Sequence, residues 1–113
     1  MKFSAVRKTQ PIELEVQPGV ELKFELREMS GLEGGDYKNV LKTKIRTKAD
    51  GSAEVLDFKG LYSDLLCRCM YDQEGKLVSK DTIDGWPEST QQALFEAAQE
   101  VNGLNKEADP KKD

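Results

Sequence analysis

The chain contains no histidine, and its two cysteines, Cys67 and Cys69, stand one residue apart. The commonest general base is therefore missing, and with it the Ser/His and Cys/His couples of nucleophilic catalysis. On a helix a two-residue offset turns side chains about 200° apart, so the cysteines are poorly placed to share a metal or a bridge. Without a partner His or further Cys, they read as one core and one surface residue rather than a zinc or redox site. Carboxylate-only or lysine chemistry is left, and no spacing in the chain argues for either. No cofactor and no metal are expected, and the chain reads as a protein that is not an enzyme.

The residue types that remain able to do something are cations and aromatics. Lys38, Lys42, Lys44, Arg46 and Lys48 form a basic cluster. In a chain with 17 Lys and Arg against 21 Asp and Glu, that cluster reads first as a solvated face and second as a patch for an acidic protein. Nucleic acid is disfavoured, because no aromatics are interleaved for base stacking.

These residues need a scaffold, and 113 residues suit one domain with a modest core. Residues 1 to 104 are expected to form it, and residues 105 to 113 to be a disordered tail without a large apolar residue. No apolar run approaches the length of a membrane span, and the first residues lack a signal peptide's apolar segment, which points to the cytoplasm.

Ile12, Leu14 and Val16 alternate with polar residues, and after Pro18-Gly19 the alternation resumes as Val20, Leu22, Phe24 and Leu26. That is a β-hairpin with one apolar face, which helices must cover because two strands alone are unstable. Ser30-Gly31-Leu32-Glu33 has capping-box spacing, but Gly34-Gly35 costs about 1 kcal/mol per glycine inside a helix. The spacing of Tyr37, Val40, Leu41 and Ile45 predicts a helix over residues 36 to 48. A second hairpin, with residues 43 to 47 and 53 to 56 flanking Asp50-Gly51, competes with it.

Asp57 is placed to cap a core helix over residues 57 to 71, with Leu61, Leu65, Leu66, Cys69 and Met70 on one side. Residues 76 to 79 read as a short extended piece. The clearest element is the last, residues 87 to 102, where Pro87 opens the helix, Leu94, Phe95, Ala98 and Val101 share a face, and Gly103 closes it. The fold class is α+β, an N-terminal hairpin packed on a bundle of about three helices.

This order of elements resembles the tail assembly chaperones of long-tailed bacteriophages. The similarity spans residues 12 to 104 and is strongest at Glu25 to Glu33, Tyr71 to Val78 and Leu94 to Leu104, with Gly34-Gly35 and the lysine-rich stretch after it as departures. The resemblance implies a cytoplasmic, non-enzymatic protein, absent from the finished virion, that keeps the tape measure protein soluble until tail tube protein polymerises around it. It leaves room for self-association. Family members are often made in a second, longer form by a −1 ribosomal frameshift, for which Gly103-Leu104-Asn105, Asp109-Pro110-Lys111 and Pro110-Lys111-Lys112 each permit a slippery heptamer with suitable codons.

On that reading the partner surface is assigned to large apolar residues left over once the core is filled: Tyr37, Leu41, Tyr62, Trp86 and Phe95. Plain core burial is the competing role for each. Two rival functions stand beside it, a small structural head-to-tail or tail component and an unrelated adaptor domain using the basic patch.

Overall fold

The computed structural model describes residues 1 to 104, so the tail expected over 105 to 113 lies outside the described residues. The hairpin forms as its alternation predicts: β1 (Thr9–Gln17) pairs antiparallel with β2 (Val20–Arg27), with Ile12 opposite Phe24 and Leu14 opposite Leu22. Gly19 takes φ +79 at the turn, where a side chain would be strained. A two-residue strand, β5 (Met70–Tyr71), pairs with Glu25 and Leu26 and gives the sheet order β1-β2-β5. Because β5 covers only the base of β2, the far end of the hairpin remains two-stranded.

The capping box forms in full. Ser30 Oγ accepts from Glu33 N at 3.2 Å, and Glu33 Oε1 accepts from Ser30 N at 2.9 Å. From there α1 (Gly31–Leu41) runs straight through Gly34 and Gly35, and burial of Tyr37 supplies the tertiary anchor that outweighs the two glycines. The helix predicted over 36 to 48 is thus corrected at both ends, and its competitor supplies the second half. β3 (Ile45–Thr47) pairs with β4 (Ala53–Val55) as a separate two-stranded sheet, with Asp50 accepting from Ser52 and Gly51 at φ +89 in the turn.

The next helix, α2 (Leu61–Cys69), is shorter than the predicted 57 to 71. Asp57 does not cap it. Its carboxylate accepts from Lys59 N at 3.0 Å, a local turn that competes with helix, and the N-cap position falls to Gly60 at φ +70. At the other end Met70 turns extended and joins the sheet.

A short helix that periodicity did not show, α3 (Lys80–Asp84), follows Ser79, whose Oγ accepts from Thr82 N at 3.2 Å. Last comes α4 (Glu88–Val101), with Pro87 at its N-cap and Gly103 at φ +70 beyond its end. Among the described residues the bundle therefore has four helices rather than about three.

One core joins the three-stranded sheet to the four helices. Phe24 and Leu26 of the sheet meet Tyr37, Leu65, Leu66, Cys69, Met70, Ile83, Leu94 and Ala98. No helix of the described residues is long and apolar enough to cross a membrane.

Candidate functional site

The helix α2 sets the site, because its buried side is not purely apolar. Ser63 and Asp64 are buried among Leu61, Leu65 and Leu66, with Asp64 only 8% exposed. A carboxylate taken out of water needs compensation, and two cations from other elements supply it. Lys80 Nζ of α3 lies 3.1 Å from Asp64 Oδ1 and 2.7 Å from Ser63 Oγ. Lys44 Nζ, between α1 and β3, lies 3.6 Å from Asp64 Oδ2 and also 3.6 Å from Asp57, and donates to Lys59 O at 2.6 Å. Oδ2 itself accepts no hydrogen bond, so its interaction with Lys44 is ionic. The carboxylate ties the foot of the β3–β4 hairpin to α2 and α3.

Around this tie opens a cleft of about 620 Å³. Its lining combines apolar Val40, Phe58, Leu61 and Tyr62 with polar Lys80, Asp84, Glu88 and Gln91. Phe58 is 72% exposed and Leu56, on the same return from β4, 52%. Tyr62 is half-buried and packs on Phe95 of α4, ring centroids 5.0 Å apart and planes at 55°.

Of the residues assigned to a partner surface, the structure brings Tyr62 and Phe95 together and separates the others. Tyr37 is core, 2% exposed, which corrects its assignment as a leftover aromatic. Burial and the neighbouring Asp64 charge push its phenol from 10.0 up to about 12. Leu41 borders a second groove of about 400 Å³ with Ile45, Gln99 and Leu104. Trp86 stacks edge-on against Phe24 at 6.1 Å and lines a third, of about 310 Å³, at the hairpin.

The basic cluster is likewise divided. Lys44 is turned inward, its side chain 15% exposed, and Arg46 pairs with Glu54 across the small hairpin. Lys38, Lys42 and Lys48 remain exposed. The cysteines divide as their spacing implies, Cys69 buried and Cys67 partly so. Burial raises both thiols, Cys69 to about 12, so neither is a thiolate nucleophile at neutral pH. No group of His, Cys, Asp and Glu suited to a metal occurs among the described residues.

Sequence reasoning missed Phe58 and Leu56, because Phe58 falls within the core helix predicted over 57 to 71 and Leu56 within the strand predicted over 53 to 56. It also missed Asp64, for which a signal existed: a charged residue three after Leu61 and one before Leu65, on the face that must be buried.

Set against known proteins, the chain matches no family model, no curated protein and no solved structure.

Proposed function

We propose that this protein is a binding protein without catalytic activity, a phage tail assembly chaperone that shields apolar stripes of the tape measure protein in the host cytoplasm until tail tube protein takes over. The reading rests on the sequence resemblance and on one observation, the exposed Phe58 beside the Tyr62 cleft. A largely exposed phenylalanine next to an open, partly apolar cleft offers an amphipathic helix a place for its apolar side chains. Lys44 and Lys80 on one carboxylate hold the cleft's walls, and Glu88 and Gln91 give it a polar rim.

Co-expression tests this. On this reading a phage tape measure protein stays in the soluble fraction when made together with this chain and aggregates when it is made alone. Equal solubility in both cases contradicts the reading.

A further inference from the structure

Residues 1 to 8 are exposed throughout and lie outside regular structure up to Lys8. Among the described residues, residues 1 to 7 make one hydrogen bond, an internal one from Val6 N to Ser4 Oγ at 3.1 Å. Met1, Phe3 and Val6 are nevertheless large and apolar, Phe3 at 84% exposure. The segment also holds Lys2, Arg7 and Lys8 and no acid. With those three of the 17 cations set aside, 14 remain against 21 acids, a balance of −7 for the rest of the chain.

The hairpin carries the complementary surface. β1 is the outer strand of the sheet, so its free edge is unpaired. Pro11 has no N–H to offer, which restricts a useful edge to residues 12 to 16. There Leu14 and Val16 are half-buried, and beside them Leu22 and Val20 are 41% and 43% exposed. On the other face Glu15, which accepts from Gly19 N at 3.0 Å, stands directly opposite Glu21, and Lys23 stands opposite Glu13, but no Lys or Arg among the described residues comes within ion-pair distance of Glu13, Glu15 or Glu21. Like charges facing each other across strands are unfavourable unless a cation joins them.

The apolar phase distinguishes the two segments. In β1 the even-numbered positions are apolar (Ile12, Leu14, Val16), whereas in residues 1 to 5 the odd-numbered ones are (Met1, Phe3, Ala5). Successive side chains of a strand alternate faces, so residues 1 to 5 cannot prolong β1 and keep both apolar sets on one side. They suit a strand of their own, paired antiparallel with Phe3 opposite Leu14, Lys2 opposite Glu15 and Ala5 opposite Ile12. Their own hairpin is out of reach. Lys8 is held in the ladder, its O accepting from Glu28 N at 2.8 Å and its N donating to Glu28 Oε1 at 3.0 Å. A reversal at residues 6 and 7 then sets Ala5 beside Lys8 and Phe3 beside Gln10, short of the hairpin's far end.

We propose that residues 1 to 5 of one copy add as a strand to the free edge of β1, residues 12 to 16, in a second copy of this chain. Main-chain hydrogen bonds supply the attachment, Phe3 covers Leu14 and Leu22, and Lys2 relieves the Glu15–Glu21 repulsion. This inference stands on the hairpin and is independent of the Phe58 cleft.

Sedimentation velocity of the full chain, from micromolar to millimolar concentration and at low and high salt, tests it. The expected result is a mass above the monomer that grows with concentration and falls as salt screens the contact. Phe3→Asp and Lys2→Glu each weaken association by about tenfold or more while leaving the circular dichroism melt unchanged. Combining Lys2→Glu with Glu15→Lys in one chain restores it. A monomer under every condition, association untouched by Phe3→Asp, or a double variant as weak as Lys2→Glu alone overturns the proposal.

Discussion

Asp64 of α2 and Lys80 of α3 approach to 3.1 Å at the floor of the cleft, and Gly60 is what lets them do so. A Cβ on Gly60 would stand 2.5 Å from Lys80 Nζ, at a backbone φ of +70. The ammonium reaches Gly60 O, Ser63 Oγ and Asp64 Oδ1 at once. Side chains and backbone of one helical turn thus act as a socket for a cation from the next helix.

Asp64→Asn leaves Lys44 and Lys80 without their shared anion. Because the carboxylate is buried but Lys80 is partly exposed, the expected cost is about 1–3 kcal/mol, below that of a fully buried pair. Urea denaturation measures it as a lower midpoint at unchanged slope. An Asp64→Asn midpoint equal to wild type would show that the lysines find solvent without loss.

Gly34 and Gly35 each have open space where a Cβ would go and neither has a positive φ. Gly34→Ala and Gly35→Ala should therefore each stabilise the protein by about 1 kcal/mol through helix propensity alone. Thermal melts read this as a raised Tm, and a drop in either variant would mean that the bare backbone there has a partner.

Alkaline pH should unfold the protein earlier than neutral pH. The thiol of Cys69 is raised from 9.0 and the phenol of Tyr37 from 10.0, both to about 12. Above the unfolded values the unfolded chain gives up these protons while the folded chain keeps them, so stability falls as pH rises. It is full below about pH 9 and declines between about 9 and 12, the window set by the two shifts. Tyr37→Phe should flatten the part of the decline above pH 10, followed by urea midpoints across the series.

The hairpin and α4 were legible in the sequence because their signals are local. Alternation about Pro18-Gly19 specifies both strands and the partners Ile12–Phe24 and Leu14–Leu22, and α4 carries its start, face and stop within one segment. The stretch from Tyr37 to Leu56 was ambiguous because Ile45 fits a helical face after Leu41 and equally a strand opposite Val55. The strand pairing with Val55 claims Ile45, and the helix stops at Leu41. The helix α3 hides behind a single buried residue, Ile83, too few for a period to show. The cleft was least legible, since the meeting of Lys44, Asp64 and Lys80 joins three elements far apart in sequence. Exposure of Phe58 depends on Gly60, and not Asp57, beginning α2.

The most direct test of the proposed function is the affinity of the purified protein for apolar helical segments of a phage tape measure protein, measured by isothermal titration calorimetry for wild type and Phe58→Asp. Phe58 is largely exposed, so the substitution should leave the thermal melt within about 0.5 kcal/mol of wild type. Wild type should bind, and Phe58→Asp should raise the Kd at least about tenfold. No binding by wild type, or equal Kd values for the two, would contradict the proposed function.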